Sequence, residues 1–541
     1  MNVSLSPSVR HNRVRIALAS LALFIALAVI HTWPLASAPD TFSRNDTADT
    51  VLHEWIMSWV AHQILTNPLH LFDANIFYPE RQTLAYSDHL FVQSMLGAPL
   101  LWAGASPVLA YNLVLIAGLA LTGWTTSLVV GSWTGNWLAG ILSGSLLAFN
   151  SFSLTRLPQL QDLHVEFFPL ALFALDRLLA VPNAKHALSL ACWYVLQSLT
   201  GTYLMVFTSI SLVAAAAARP REWLGPSFRA LAPWAVLAAV VSVLALVPFL
   251  IPYFRASRDA GLERSLADTV RYSAEITDYL AAAGRLHFEL WSGRFFQGDA
   301  LFPGVTALAL AGIAVGSGQA FNDRRARMVL AIGLAAFALS FGPAFTPYRW
   351  LYAVFPLMSG IRGAVRFGQI VLAAVGILAG FGLAHLQRRF PSRRMVLLSL
   401  ALLAAAHIEA LRAPMGYTPN PGIPAVYDVL RRTADNAVLV WVPFQPSPRF
   451  HLNAPYMLAS TRFWKPMLNG YSGFKPASYY EHAKALANFP DEASIQYLRE
   501  HGVTHVVVDG AEMKPDRTAR LTAFPQLTLL ADDGNLRIYL L

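Results

Sequence analysis

The chain has 541 residues, of which 55% are hydrophobic and only 13% charged, with a net charge of +9 and a mean hydropathy of +0.45. Soluble proteins carry roughly 25% charged residues, and a water-facing surface needs polar cover. This composition therefore excludes soluble globular, disordered and disulfide-framework chains, and implies an integral membrane protein with many spans. Cys192 stands alone, which excludes an intramolecular disulfide. Apart from Lys185, Lys465, Lys475, Lys484 and Lys514 the basic charge is arginine, and it sits mostly in short loops between apolar runs. That placement follows the positive-inside rule; the charge implies a bilayer and not a nucleic acid.

In chain order, Arg10, Arg13 and Arg15 precede an apolar run over 16–33. It reads as an uncleaved signal-anchor helix, although residues 34–39 offer small side chains like those of a cleavage site. Further apolar runs lie at about 108–130, 135–151, 164–181, 187–199, 203–217, 231–251, 301–316, 328–345, 367–386 and 395–411. The pair 187–199 and 203–217 reads either as two short helices or as one broken hairpin. Eleven alternating spans place three arginine clusters on one side: Arg219 with Arg221, then Arg324, Arg325 and Arg327, then Arg388, Arg389, Arg393 and Arg394. The expected topology has a cytoplasmic N-terminus and an outer C-terminus.

The expected organisation is then a cytoplasmic N-terminus with the first transmembrane helix (1–33), a first outer loop with an interfacial helix (34–92), a multi-span transmembrane domain (93–411) and an outer α/β domain (412–541). Outer segments include the long ones 34–92, 252–300 and 412–541, with smaller loops at 150–164 and 345–368. Long loops in compact proteins are usually functional. Within the last segment, 437–444 and 503–508 read as buried strands, 478–501 carries helical patterning, and 532–535 is a hairpin turn.

The first outer loop holds Asp46 and Asp49 just before a helical stretch. A carboxylate there either caps the helix or acts as a general base at the membrane surface. Val51, Leu52, Trp55, Ile56 and Trp59 form an apolar face suited to a membrane interface. Downstream, Asp73, Asn75, Tyr78, Asp88 and His89 suit stacking on a sugar and recognition of its hydroxyls, or equally a loop packed on the interface. In the second loop, Arg156, Asp162, His164 and Glu166 lie at the mouth of a span. Asp162 and Glu166 are four apart and would share one helical face, as a carboxylate pair, a divalent metal site (Mg or Mn), or plain interfacial solvation. Arg362 and Arg366 flank a short segment before another span, where guanidinium groups grip phosphates or snorkel as anchors. Arg156 could join them, and Arg349 is a weaker candidate. The chain has no P-loop, GxGxxG after a strand, HExxH or CxxC pair.

Asp49 with the spaced Trp55 and Trp59, the FDANIFYP string at 72–79, LAYSD at 84–88 and PVLAYNL at 107–113 together resemble a family of bacterial multi-span proteins. That family is classed with GT-C type glycosyltransferases, which use polyprenyl-phosphate sugars. Further matches are Gln159–Gln161 before Pro169, LFPG at 301–304, 362–367 and NGYSGF at 469–474, so the resemblance spans nearly the whole chain. It implies a helical polytopic GT-C-like membrane protein with an extracytoplasmic α/β domain, a catalytic Asp at position 49 and a sugar donor in the outer leaflet of a bacterial inner membrane. Asp46 lies just outside the match. The chain departs from the pattern at Asp88, where Glu is expected, and at Asp162, His164 and Glu166, where the family is less acidic.

The expected function is transfer of a sugar from a polyprenyl-phosphate donor to an outer-face glycan, lipid or protein acceptor. The sugar or acceptor contacts would come from Asp73, Asn75, Tyr78, Asp88, His89 and His164. Two other classes fit parts of the pattern. A transporter or lipid flippase would carry charged or broken helices near the bilayer midplane, but most spans here carry no charge. A non-catalytic cell-envelope assembly protein would tolerate substitution of Asp49.

Overall fold

The computed structural model describes residues 7–43, 48–260 and 266–541. Asp46 lies outside the described residues. The first helices are α1 (Pro7–His31), α2 (Ala48–Thr66), α3 (Phe91–Trp102), α4 (Pro107–Thr134) and α5 (Trp137–Ala148). Seven of them follow over the remaining apolar runs: Phe167–Ala180, Ala184–Ser198, Thr202–Ala217, Pro226–Ala260, Val305–Gly316, Arg324–Ser340 and Gly368–Arg389, with Arg393–Ala410 after them. Every apolar run read from the sequence is thus helical, and the ambiguous pair is two helices separated at 199–201. Polar side chains set several starts: Asn136 accepts from the Ala139 amide ahead of α5, and Asp323 and Ser392 cap the helices that follow them.

Among the described residues, five helical stretches are long and apolar enough to cross a membrane: Val14–His31, Pro107–Thr134, Trp137–Thr155, Pro226–Arg258 and Ala364–Arg389. Phe91–Trp102, Thr202–Ala217 and Val305–Gly316 are apolar but shorter.

The chain divides into two compact units. The helical unit comprises Met1–Pro39, Asn112–Pro248 and Glu263–Gly416. At its centre runs the stretch Ala364–Arg389, with 94% of the residues in its most apolar 18-residue window buried, which is what an all-round apolar helix requires. Gly380 lets α5 approach it: a Cβ there would lie 2.1 Å from Ser143 Oγ. Such close crossings are how small residues build helix packing in membranes. Two of the three arginine clusters contribute to a buried knot. Asp176 receives Arg219 Nη1 at 2.6 Å and Arg325 Nε at 2.9 Å, and Arg219, fully buried, also reaches Glu222 at 3.1 Å.

The second unit comprises Asp40–Tyr111, Phe249–Leu262 and Tyr417–Leu541. It contains a four-stranded sheet ordered β3-β4-β6-β5, with β3 (Leu439–Val442) parallel to β4 (His505–Asp509), and β5 (Thr528–Asp532) and β6 (Leu536–Leu540) antiparallel. The predicted strands and the 532–535 turn are present, and the helical stretch forms as Ala477–Ala485 and Glu492–Glu500. A two-residue ladder joins β1 (Phe42–Ser43) to β2 (Thr418–Pro419).

One expectation changes here. α2 is not one-faced: residues 50–61 are all buried, with Trp55 and Trp59 at 1% and 5% exposure. The reason is that one hydrophobic core includes Trp55, Ile56, Ile76 and Phe77 together with Leu439, Trp441, Val506 and Val507. The C-terminal segment covers the side of α2 that the sequence alone leaves open to solvent or lipid.

Candidate active site

In the sheet-bearing unit, two motifs that lie far apart in sequence meet. The strap at 75–78 hydrogen-bonds to 467–469 through Met467 N to Asn75 O, Phe77 N to Asn469 O and Tyr78 N to Met467 O, at 2.9, 3.2 and 2.9 Å. Phe77 lies against Gly470, where a Cβ would come within 2.6 Å of the ring; any larger residue would push the strap away. Asn469 locks the other side, accepting from Trp441 N at 2.7 Å and donating to Trp441 O at 3.1 Å. This scaffold delivers Tyr471, whose hydroxyl donates to Asp49 Oδ1 at 2.9 Å. Asp49 sits in the first turn of α2, where the helix dipole favours a negative charge.

Glu54, which the sequence reading did not single out, lies five residues further along α2 and is fully buried. Ser43 Oγ donates to its Oε1 at 3.1 Å, while its Oε2 is buried without a hydrogen-bond partner among the described residues. Burial pushes this carboxyl up to about 8, against the opposing Ser43 hydrogen bond. Tyr111 shares a hydrogen bond with Thr50 and lies within electrostatic reach of both Glu54 and Asp49. A polar residue opposite the apolar stripe of α2 looks solvated in sequence, so no local signal marks Glu54.

Asp73, Asn75, Tyr78 and His89, four of the residues assigned to sugar contacts, make contacts within this unit. Asp73 accepts from His70 Nδ1 at 2.8 Å and from the Gln82 amide at 2.9 Å. Asn75 donates to Ser460 Oγ and to the Lys465 carbonyl, at 3.1 and 3.2 Å. The Tyr78 carbonyl faces His482 Nε2 at 3.4 Å. His89 is buried among Phe72, Phe249 and Tyr253, its amide donating to the Tyr253 hydroxyl at 3.1 Å. Burial lowers the His89 imidazole to about 4, with the charge of neighbouring Asp88 opposing.

In the helical unit, the second-loop residues form two contacts. Asp162 lies in a short 3-10 turn, Leu160–Leu163, whereas Glu166 immediately precedes the helix Phe167–Ala180. They are therefore not on one helical face as their spacing suggested, because the chain breaks between them. Asp162 Oδ2 faces Arg366 Nη1 at 3.7 Å, and its carbonyl accepts from Gln369 at 2.6 Å. Glu166 Oε1 pairs with His164 Nδ1 at 2.9 Å, both groups buried. Among the described residues no three His, Cys, Asp or Glu side chains converge on a point where a metal ion could sit; with Asp162 and Glu166 each holding a separate partner, no step is routed through a divalent ion.

Arg362 and Arg366 each lie over an aromatic ring, Tyr272 and Tyr203 respectively, both at 4.7 Å. The Tyr203 hydroxyl also accepts from the Arg362 and Gly363 amides, at 2.9 and 3.1 Å, which fixes the 360–367 segment. A guanidinium over a ring can still present N–H donors to an oxyanion; Arg362 is solvent-exposed, whereas Arg366 also faces Asp162. Arg156 does not join them; it pairs with Asp299 and lies 5.3 Å from the Phe152 ring centroid. Arg349 donates to the Pro343 carbonyl at 2.9 Å. A separate small cavity is lined by Asn150, His287, His407 and Glu409 among others. Its Glu409 is taken up by the Val305 and Thr306 amides at the start of the following helix.

No protein-family model and no curated protein sequence matches the chain. Solved structures do. Arabinofuranosyltransferase AftD from Mycobacteria superposes with a TM-score of 0.63 at 15% identity, covering 97% of this chain and 40% of its own. The oligosaccharyltransferase AglB from Archaeoglobus fulgidus, in complex with an inhibitory peptide and a dolichol-phosphate, gives 0.51 at 13% identity, over 91% of this chain and 69% of its own. ArnT from Cupriavidus metallidurans, bound to undecaprenyl phosphate, gives 0.50 at 12% identity, over 99% and 98%. The fold is that of the GT-C type glycosyltransferases. The resemblance seen in the motifs thus holds at the level of architecture, and the chain spans about 40% of the length of AftD.

Proposed function

We propose that the protein is a membrane glycosyltransferase that moves a sugar from a polyprenyl-phosphate donor to an acceptor hydroxyl or amide. The observation that carries this reading is Asp49, held at a helix start by the Tyr471 hydroxyl at 2.9 Å, in a chain with the fold of ArnT and AglB. In the proposed reaction Asp49 takes the acceptor proton as the acceptor atom bonds to the anomeric carbon. The bond from that carbon to the phosphate oxygen breaks, and the lipid phosphate leaves with its electron pair. Arg362 and Arg366 are assigned to that phosphate, because a planar guanidinium binds two oxyanion oxygens at once. The donor, the acceptor class and the outer-face orientation belong to this proposal. AglB in complex with an inhibitory peptide and a dolichol-phosphate, and ArnT bound to undecaprenyl phosphate, support a lipid-linked donor.

The test is transfer from a radiolabelled undecaprenyl-phosphate sugar by the full chain in nanodiscs. Asp49→Asn is expected to lower turnover by at least about 100-fold, the usual scale for a lost general base, at unchanged membrane abundance. Asn keeps the size and hydrogen-bond acceptance of Asp, so α2 should still form. Turnover by Asp49→Asn equal to that of the unmodified protein would remove the base assignment.

A further inference from the structure

The two acidic groups of α2 are in different situations, and the difference is built by the surrounding fold. Asp49 has the Tyr471 hydroxyl as a donor. Among the described residues, fully buried Glu54 has one donor, Ser43 Oγ, on one oxygen and no hydrogen-bond partner on the other. A buried carboxylate is retained as an anion only when paired or fully hydrogen-bonded.

Among the described residues, the neighbouring elements supply no cation for it. α3 carries no titratable residue at all, and the helix Ala454–Ala459 carries only Tyr456, whose hydroxyl donates to Asp509 at 2.8 Å. The turn Pro68–His70 brings His70, paired with Asp73, and the turn Ser460–Arg462 brings Arg462, paired with Asp428 at 3.2 Å. On α2 itself the nearby titratable groups are Asp49 and His53, and from the start of α4 Tyr111 faces both acids.

We propose that Glu54 is a positioning residue of the Asp49 site that works as an uncharged acid, so that α2 presents a single negative charge, on Asp49. The inference rests on the reading of Asp49 as the base. A neutral Glu54 can accept from Ser43 and keep β1 against α2, which holds the helix start that carries Asp49. Burial pushes the Glu54 carboxyl up to about 8. When it ionises, a second anion appears beside Asp49 and Tyr111 with no balancing cation among the described residues, and the helix start shifts.

Transfer is measured against pH for the unmodified chain, Glu54→Gln and Glu54→Ala in nanodiscs. The unmodified chain should lose activity above pH 8, by about tenfold per pH unit, as a single ionisation dictates. Glu54→Ala should be slower by about tenfold below pH 8 and, having no carboxyl to ionise, should show no alkaline limb. Glu54→Gln, an uncharged isostere, should regain most of that loss and lack the alkaline limb. An alkaline limb in Glu54→Gln matching that of the unmodified chain would overturn the proposal, as would a Gln variant no better than Ala. A second readout needs no turnover: the infrared C=O stretch of a protonated carboxyl, present at pH 7, lost above pH 8 and missing in Glu54→Gln. Its absence from the unmodified chain at pH 7 refutes the proposal. If that band behaves as expected and no variant transfers sugar, the glycosyltransferase reading fails while the uncharged state of Glu54 stands.

Discussion

At the scale of single residues, the arginines over Tyr272 and Tyr203 give the sharpest expectation. If Arg362 and Arg366 bind a lipid phosphate through two parallel hydrogen bonds, lysine cannot replace them, because its ammonium is a point charge without the planar fork. Arg362→Lys and Arg366→Lys are expected to weaken binding of a polyprenyl-phosphate sugar by about tenfold or more, read by scintillation proximity in nanodiscs. Unchanged affinity in both would leave only membrane anchoring. Glu54 gives a second expectation, on stability. Its carboxyl is raised from 4.5 to about 8 in the fold, so the folded state holds a proton that the unfolded chain releases. The stabilisation is complete below pH 4.5 and lost as pH rises through 8. The unfolding temperature of the unmodified chain should fall across that window, and that fall should be smaller in Glu54→Gln. The place of Asp49 at a helix start was legible in the sequence, because acidic residues directly precede a helical stretch there. Glu54 and Tyr471 were not, since their roles depend on a segment more than 350 residues later covering α2.

At the scale of elements, the helices were legible because uninterrupted apolar length is itself the signal, and all eleven runs are helical. Which side chains would be tied together was not. Arg219, Arg324 and Arg325 read as topology-setting charges, yet Arg219 and Arg325 bind Asp176 at 2.6 and 2.9 Å within the bundle. This knot joins the helices Phe167–Ala180 and Arg324–Ser340 to the segment after Thr202–Ala217. Asp176→Asn removes the anion that Arg219 and Arg325 share and leaves the buried Arg219 guanidinium with Glu222 alone, a change expected to cost roughly 3 kcal/mol. Thermal unfolding in detergent reads this directly. A loss under about 1 kcal/mol would mean the arginines find solvent or lipid phosphate instead. The second-loop carboxylates show the opposite lesson: a spacing of four implies a shared face only if the helix is continuous, and here it starts after Glu166.

At the scale of the molecule, a helical unit and a small sheet were both legible, the sheet from its apolar strands and its Asp533–Asn535 turn. Orientation is tested in a Cys192→Ser background, with Asp533→Cys and Arg394→Cys labelled by a membrane-impermeant maleimide. Labelling of the two from opposite sides is expected; labelling from the same side would overturn the eleven-span arrangement. The boundary at 412 read from sequence differs from how the second unit is assembled, from Asp40–Tyr111, Phe249–Leu262 and Tyr417–Leu541. Residues 417–541 share one hydrophobic core with the first of these segments, so neither half of that core is complete without the other. That has a consequence for biosynthesis. About 300 residues of chain separate the two segments, and ribosomes add roughly 5–20 residues per second, so the first loop waits on the order of 15–60 s for its partner. Throughout that interval Trp55, Ile76 and Phe77 have no core to enter, and a nascent chain stalled before residue 417 should be the form most exposed to proteases and chaperones.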